Sequence, residues 1–441
     1  MRFKDFIISA NTGLDAIKRA PILDEDTGLK CIRIQDISQK KDFDEWGFTK
    51  TTENDFKKFK LKKDDILIAR TGATVGVSYI VKEDINSVYN NGSIRLRFSD
   101  NANAYFMYYV MQSKSFLKYI DNVSCVATQP NLRIETLLRF TIPDIDLKFQ
   151  NAIAYILSKY DELIEINNKR IKLLEQIVEN YFKLFYENEI KNHQVNIVKL
   201  GKLLDITRGL SYSSEEIECD DGITLINLKN IQGFGGFRRD GNKCYNGDYK
   251  EAQVVKQGDL VMGVTDMTQD RRTVGSVALI PDISGVSVIS ADLIKIETDI
   301  NKSFLYCLFR FGNVSKYISQ FANGANVLHL KPEVIKKVKV MMPTQEYIKA
   351  FCRIVTPILD EIEMLYQQND NLIKQRDLLL PRLMSGKLSV ETKTKSVPKV
   401  KKVISFDDFR SNMGMAARAK TISDKDLIAM YEAYIDDNAT E

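Results

Sequence analysis

The feature that most constrains this chain is an internal repeat. The stretch LKKDDILIARTGATVGVSYIV (61–81) matches VKQGDLVMGVTDMTQDRRTVGSVALI (255–280), and Gly76 falls on Gly275. The flanking apolar runs match closely, whereas the turn between them is longer in the second copy and contains Arg271. Self-similarity of this kind indicates that one structural unit occurs twice.

Other pieces of the chain recur in the same order. The matched pairs are FIISANTGLDAIK (6–18) with LLDITRGLSYSS (203–214), GLKCIRIQDI (28–37) with GITLINLKNI (222–231), TQPNLRIETLLRFTIP (128–143) with NVLHLKPEVIKKVKVMMP (326–343), and YDELIEINNKRIKLLEQIVENYFKLF (160–185) with LDEIEMLYQQNDNLIKQRDLLLPRLM (359–384). We therefore predict a globular unit, a long helix, a second globular unit and a second long helix. The predicted boundaries are 1–150, 151–195, 196–345 and 346–388, followed by a tail at 389–441.

Each globular unit is predicted to be mixed α/β (α+β). Short β-rich runs in the first copy are bounded by Gly, Asn and Asp, which is typical of strands between turns. These runs are Cys31–Ile34, Ile66–Ala69, Val77–Val81 and Ile94–Phe98. A helical stretch interrupts the strands at Ala104–Tyr119 in the first copy and at Lys302–Phe321 in the second.

The two long helices carry apolar residues at alternating spacings of four and three, the seam of a coiled coil. The seam residues are Tyr160, Ile164, Asn167, Ile171, Leu174 and Val178 in the first helix and Ile362, Leu365, Asn369 and Leu372 in the second. Helices with so few heptads are marginal alone, so we predict that they pack on each other antiparallel. Thr356-Pro357 is a typical helix start, with a capping threonine before proline.

The turn Arg70–Gly76 lies between two apolar runs and raises the possibility of a phosphate-binding loop. A P-loop needs four residues between its glycines and then lysine, but three residues separate Gly72 from Gly76 and Val77 follows. The pattern favours a β-hairpin whose glycines allow positive φ.

Composition limits the chemistry. The net charge of +4 is modest for 441 residues, so any binding to nucleic acid must come from local patches or another subunit. The chain has six cysteines without Cys-x-x-Cys spacing and two histidines, which predicts reduced thiols, a cytoplasmic location and no metal site. No apolar run is long enough to span a membrane.

The sequence gives little support for catalysis. An adenine methyltransferase needs a Pro-Pro pair in the loop that grips the base, and the chain has none. GFGGF (233–237) has some likeness to a glycine-rich S-adenosylmethionine loop, but two arginines follow, which favours an exposed loop of the second unit. Glu391-Thr392-Lys393 resembles part of a nuclease core, but it falls in a lysine-rich predicted linker.

Two similar units with similar helices predict a molecule with approximate two-fold symmetry, and the DNA backbone has two-fold symmetry as well. A helix from Tyr160 to Phe185 extends roughly 40 Å at about 1.5 Å per residue, and one turn of B-DNA is about 34–36 Å. Such a spacer would place both units on one side of a duplex. Because the turns differ between the copies, the halves are expected to read different sequences.

The chain resembles the specificity subunits of type I restriction–modification systems over residues 1–388. The motifs that carry the resemblance are DDILIARTGATVG (64–76), ATQPNL (127–132), YDELIEINNKRIKLLEQ (160–176) and LLLPRLMSGKL (378–388). Val126 departs from the family pattern, in which glycine commonly precedes ATQPNL, and the second copy loses the Gln-Pro pair. Residues 389–441 extend beyond the usual family ending, and 423–437 has the pattern of an amphipathic helix.

The resemblance implies two target-recognition domains that read the halves of a bipartite double-stranded DNA site. It also implies assembly with two methyltransferase subunits and with restriction subunits, for which the seam residues of the long helices are the candidate contacts. Catalysis would then belong to the partners, with S-adenosylmethionine in the methyltransferase and ATP and Mg²⁺ in the restriction subunit, and no cofactor in this chain. The alternatives are a coiled-coil scaffold or decoy that binds only proteins, and a single-chain modification enzyme.

Base reading requires polar side chains on loops. The candidates in the first unit are Arg70, Thr71, Thr74, Asn90, Asn91, Gln129 and Asn131, and those in the second are Thr265, Asp266, Gln269, Arg271, Arg272, Asn326 and His329. Contacts with phosphates position a protein without specifying sequence. The candidates for these contacts are Arg33, Arg208, Lys229, Arg238 and Arg239.

Overall fold

A computed structural model describes residues 1–39, 41–124, 131–142, 144–192, 195–268 and 270–385. These residues form two compact units. The first unit joins Met1–Ile166 to the described residues from Gln368 on, and the second unit is Asn167–Gln367. Each unit therefore contains a globular part and a stretch of both long helices. The tail predicted at 389–441 lies outside the described residues, and the predicted domain boundaries stay a prediction.

The first globular part contains two strands, two short helices, four more strands and then three helices, in chain order. Its strands are β1 (Ile7–Thr12), β2 (Lys30–Ile32), β3 (Ile66–Ala69), β4 (Ser78–Ile80), β5 (Ser87–Tyr89) and β6 (Ser93–Phe98). Its helices are α1 (Ile34–Ser38), α2 (Glu53–Phe59), α3 (Ala104–Gln112), α4 (Lys114–Ser124) and α5 (Ile134–Leu137), and the long helix α6 (Leu147–Asn192) follows.

The second globular part has the same plan with additional short strands. Its strands are β7 (Asn196–Lys199), β8 (Asp205–Arg208), β9 (Ile223–Ile226), β10 (Lys243–Tyr245), β11 (Val254–Val255), β12 (Leu260–Gly263), β13 (Thr265–Asp266), β14 (Val277–Leu279), β15 (Ser287–Ile289), β16 (Leu293–Glu297), β17 (Leu328–His329) and β18 (Lys339–Met342). Its helices are α7 (Lys302–Phe311), α8 (Val314–Ser319) and α9 (Pro332–Lys337), followed by the long helix α10 (Gln345–Met384).

The two units share one sheet topology. The main sheet is ordered β1-β6-β3-β4 in the first unit and β8-β16-β12-β14 in the second, with antiparallel neighbours in both. Beside it, β2 pairs with β5 and β9 pairs with β15, both parallel. The predicted repeat and the mixed α/β class are confirmed.

One inner strand of each main sheet, β3 in the first unit and β12 in the second, is buried on both faces. In β3, Ile66 and Ile68 join one hydrophobic cluster while Leu67 joins another that contains Trp46 and Tyr89. Successive side chains of a strand point to opposite faces, so a strand covered on both sides must be apolar throughout. This is why β3 and its counterpart β12 are continuous apolar runs in the sequence.

The long helices pack antiparallel within each unit. In the second unit, Ile171 of α6 packs with Ile362 and Leu365 of α10, and further along α6 the ring of Tyr181 stacks on Phe351 at 5.6 Å. Residue numbers increase along α6 while those of its contacts on α10 decrease, so the two helices are antiparallel, as predicted. The first unit keeps this direction, because α6 and α10 meet there at Asp161 and Arg376.

The predicted helix start at Thr356-Pro357 is wrong. Helix α10 begins at Gln345, so Pro357 lies inside it. Proline removes a hydrogen bond from a helix interior, but Ile348, Phe351 and Val355 are buried in the core before it. Burial of this apolar face carries the helix through the proline, since packing contributes more to a helix than local propensity does.

Gly13 and Gly209 explain why the repeat keeps glycine after its first strand. A Cβ at Gly13 would lie 2.3 Å from the carbonyl oxygen of Tyr89, and one at Gly209 would lie 2.0 Å from that of Ser290. Next to the glycine, Leu14 donates to the Tyr89 oxygen at 2.9 Å. The chain must therefore pass close to the end of the parallel strand in both units.

We expect Gly209→Ala to destabilise the second unit by about 3 kcal/mol or more, because the added methyl collides with backbone that cannot move aside. Gly285→Ala is the matched control, since its Cβ would meet nothing within 4 Å and only its φ of +82° is unfavourable, at a cost of about 1–2 kcal/mol. Urea unfolding followed by circular dichroism measures both. Equal losses in the two variants would contradict the close approach.

Candidate nucleic-acid interface

In the first unit, three segments meet around the turn that follows β3. The main-chain N–H of Arg70 donates to the Gly92 oxygen at 2.9 Å, and the Leu132 N–H donates to the Arg70 oxygen at 2.8 Å. Thr71 and Asn131 form a β-bridge. We call the exposed side of 70–76, 90–92 and 131 the first turn surface. The predicted hairpin is confirmed, since β3 and β4 pair antiparallel.

Several predicted base readers come together on the first turn surface. The Arg70 guanidinium donates to Oδ1 of Asn131 through Nη2 at 2.9 Å and Nε at 3.3 Å. Asn91 and Asn131 are exposed, while Thr71, Thr74 and Asn90 are half-buried. Gln129 lies outside the described residues. The surface thus offers guanidinium and amide groups, which form paired hydrogen bonds with guanine and adenine respectively.

The second unit holds its turn by the same main-chain bonds. The Val264 N–H donates to the Asp292 oxygen at 2.8 Å, and the Leu330 N–H donates to the Val264 oxygen at 2.8 Å. The bridge of the first unit becomes the strand pair β13–β17, with Thr265 opposite His329. We call the exposed side of 265–273 and 323–329 the second turn surface, of which Gln269 is not described.

Asp266 organises the longer turn of the second unit from inside. It is only 2% exposed, and its Oδ1 accepts the Thr268 N–H and hydroxyl, each at 2.8 Å. Its Oδ2 accepts the N–H groups of Thr273 at 2.6 Å and Val274 at 3.2 Å. Burial raises the pKa of Asp266, but the hydrogen bonds from Thr273 and Thr268 outweigh it and lower the pKa to about 2.

The predicted base readers of the second unit divide into internal and exposed residues. Thr265 is buried and donates to Oδ1 of Asp292 at 2.9 Å, so in this structure it shapes the turn, as Asp266 does. Arg271 is also turned inward, and its guanidinium donates to the carbonyls of Ser319 and Gln320 at the end of α8.

The exposed candidates of the second turn surface are Arg272, Asn326 and His329. Arg272 forms an ion pair with Asp270 at 2.6 Å, with both side chains about 60% exposed. An ion pair this exposed contributes little to stability, so Arg272 can exchange its partner for a ligand at little cost. The sequence does not show which of Arg271 and Arg272 is exposed, because that depends on which guanidinium donates to the carbonyls at the end of α8 in the folded chain.

Two of the predicted phosphate contacts lie inside the fold. Arg33 is 7% exposed and donates to the carbonyls of Cys31 and Ala20. Arg239 donates to Glu363 of α10 at 2.5 Å and lies 5.5 Å from the ring of Tyr366. The remaining candidates are exposed, and they are Arg208, Lys229 and Arg238.

The seam residues of the long helices are mostly used in packing within the chain. The buried ones are Ile171, Val178, Ile362, Leu365 and Asn369, and the half-buried ones are Tyr160, Ile164, Asn167, Leu174 and Leu372. Their contact with partner subunits therefore stays a prediction. Apolar residues outside the seam pattern are exposed on α6 of the first unit. They are Leu147, Phe149, Tyr155, Leu163 and Ile166, and the last three are at least half exposed.

A polar contact that no sequence motif indicates joins each globular part to the long helices. In the first unit, the hydroxyl of Tyr109 on α3 and the guanidinium of Arg376 on α10 both donate to Asp161 of α6, each at 2.6 Å. Burial raises the pKa of Tyr109, so its hydroxyl keeps its proton and donates. Arg376, four residues after Leu372 of the seam, is thus the charge partner of Asp161.

The second unit has an equivalent contact. Arg310 of α7 donates to Glu175 of α6 at 3.1 Å and to the Tyr306 hydroxyl at 2.5 Å. Removing one member of such a partly buried pair leaves an unpaired charge, which is destabilising. Each globular part is therefore fixed in one orientation on its own helices.

The prediction that the cysteines are unpaired thiols is wrong for one pair. Cys219 and Cys244 form a disulfide, with their Cα atoms 5.8 Å apart. The separation of 25 residues matches no sequence motif, and the fold of the second unit brings the two together. Cys31, Cys307 and Cys352 are free and buried.

Comparisons with known proteins agree with this geometry. Residues 13–176 match the family of type I restriction modification DNA specificity domains. The chain is 25% identical to the type I restriction enzyme MjaIX specificity subunit of Methanocaldococcus jannaschii, covering 74% of this chain and 78% of that protein. It is 21% identical to the HindI specificity subunit of Haemophilus influenzae, covering 74% and 87%.

A solved structure shows the same fold. The S subunit of a type I restriction-modification system from M. genitalium superimposes with a TM-score of 0.53 at 16% identity, covering 87% of this chain and 95% of that one. The chain is thus similar to type I specificity subunits in sequence and in fold, and the predicted resemblance is confirmed. These relatives are named as specificity subunits, in agreement with the prediction of a recognition subunit rather than an enzyme.

Across the described ranges, no helix combines the length and the apolar character that crossing a membrane requires.

We expect the stability of the second unit to fall as the pH drops from about 4 to about 2. The pKa of Asp266 is lower in the folded chain than its ordinary value of 3.8, so its contribution is present above pH 4 and is lost as the carboxylate is protonated. Urea unfolding at a series of pH values measures this loss. In Asp266→Asn the loss assigned to this group should be absent, and an unchanged pH profile in that variant would contradict the assignment.

Proposed function

We propose that this chain is the DNA-recognition subunit of a type I restriction–modification complex and that each unit reads one half of a bipartite site. One observation carries the proposal. Both units hold a turn by the same main-chain hydrogen bonds but present different side chains on it, with Arg70 and Asn131 in the first and Arg272 and His329 in the second. Constant backbone with variable polar side chains suits a pair of readers for two sequences.

The proposed partners are two methyltransferase subunits and restriction subunits. The exposed Tyr155, Leu163 and Ile166 of α6 are a candidate contact for one of them, because apolar residues outside a packed seam favour protein association. In this assignment S-adenosylmethionine binds the methyltransferase and ATP with Mg²⁺ binds the restriction subunit, and the complex acts in the cytoplasm on double-stranded DNA.

A scaffold or decoy that binds the same subunits without reading DNA is the second candidate. The exposed polar side chains on both turn surfaces favour reading, since a pure scaffold has no need of them. Mapping methylated adenines in host DNA with and without the gene separates the two. A split motif that depends on the gene supports a reader, and an unchanged methylation pattern despite co-purification of a methyltransferase supports the scaffold.

We expect Arg272→Ala and Arg70→Ala to have separate effects on the two halves of that motif. Loss of a side chain that contacts a base costs about 1–3 kcal/mol and relaxes the preference at one position. Arg272→Ala should therefore relax the half read by the second unit and leave the other half unchanged, and Arg70→Ala should do the reverse. The measurement is the methylated motif in cells that carry each variant. Equal losses at both halves from either variant would argue against one reader per half.

A further inference from the structure

Phe234 exposes an aromatic ring where the fold does not need one. Its side chain is 66% exposed and its φ is +66°, in the left-handed region. A bulky residue in that region is an outlier of the kind found at functional sites. Gly235 and Gly236 follow with φ of +111° and +109°. Glycine at 234 would satisfy the backbone and avoid exposing an apolar group.

The loop around Phe234 is fixed in place by main-chain hydrogen bonds. The Phe234 N–H donates to the Arg272 oxygen and the Gly236 N–H to the Val277 oxygen, each at 2.8 Å. The Gly235 N–H donates to the Gln232 oxygen at 2.9 Å. With these donors satisfied, the loop presents the ring from a defined backbone position.

That position lies beside the second turn surface. The carbonyl that receives the Phe234 N–H belongs to Arg272, whose side chain is 59% exposed. Arg238, four residues along the chain from Phe234, is 54% exposed and forms an exposed ion pair with Asp240 at 3.0 Å, which it can exchange for a ligand as Arg272 can. An exposed aromatic ring next to exposed guanidinium groups has the chemistry of a surface that stacks on nucleobases and binds the adjoining phosphates.

We propose that Phe234 inserts its ring between two base pairs in the half-site read by the second unit, an inference that rests on the proposed function. Apolar side chains used this way unstack a base step and kink the duplex. Pyrimidine–purine steps unstack most easily, so the half-site should contain a TA or CA/TG step at the point of insertion. The exposed arginines would bind the phosphates on either side of the opened step.

The test uses the full chain together with its co-purifying subunits, and a duplex with the methylated motif found in cells that carry the gene. 2-Aminopurine is placed in turn at each adenine of the second half, because its fluorescence rises when the base is unstacked. Phe234→Gly removes the ring and suits the positive φ, so its urea midpoint should equal or exceed that of the natural chain. Phe234→Trp keeps a ring that can stack, and Ile17→Ala, at an 81% exposed position of the first unit, is the control for loss of an exposed apolar group.

The natural chain and Phe234→Trp should raise the fluorescence at one step, and Phe234→Gly should not. Phe234→Gly should also bind the duplex roughly 5- to 150-fold more weakly, the range for loss of one aromatic–base stack, while Ile17→Ala binds normally. Natural affinity and an unchanged fluorescence rise in Phe234→Gly would overturn the inference alone. Loss of a co-purifying subunit with DNA binding intact would overturn it in favour of a protein contact. Failure of the natural complex to bind the duplex would overturn the proposed function as well.

Discussion

The structure depends on the main-chain hydrogen bonds that hold the turn after β3 in the first unit and the turn after β12 in the second. In both copies, one hydrogen bond joins the turn to the residue just before β6 or β16, which is Gly92 in the first unit and Asp292 in the second. Another joins the turn to the segment that follows the paired short helices, at Leu132 and at Leu330. All of these bonds are made by main-chain atoms. They therefore constrain backbone geometry and leave the side chains of the turn free to differ, which is what two readers on one scaffold require.

Two further features of the fold support those hydrogen bonds. The backbone approaches the end of the parallel strand closely at Gly13 and Gly209, and β3 and β12 are buried on both faces. The hydrogen bond from Tyr109 to Asp161 and the ion pair of Arg310 with Glu175 then join each globular part to the helices of its own unit. In the first unit the ion pair of Asp161 with Arg376 joins the two long helices to each other. Phe234 stands out against this background, since its exposed ring lies on strained backbone that the repeat does not demand.

Sequence patterns were sufficient for the repeat, the mixed α/β class, the hairpin after β3 and the antiparallel helices. Each of these follows from apolar spacing and turn residues that recur at matching places. The helix start at Thr356-Pro357 failed because local capping signals were outweighed by burial of Ile348 and Phe351 upstream.

The candidate site was predicted less completely than the fold. The sequence identified the right turns, but it did not separate Arg272, which is exposed, from Arg271 and Asp266, which bind their own backbone. The direction of a side chain on a turn depends on contacts with distant segments, such as the end of α8. The pairing of Cys219 with Cys244 was missed for the same reason.

The central claim is that each turn surface contacts a different half of one DNA site. Site-directed cross-linking tests it most directly, with a photoactivatable group on Ala73→Cys of the first turn surface or on Arg272→Cys of the second, and with the unsubstituted chain as control. Mapping the cross-linked bases on a duplex that carries the full motif should show contacts confined to one half from the first position and to the other half from the second. Cross-links from both positions within the same half would contradict the account.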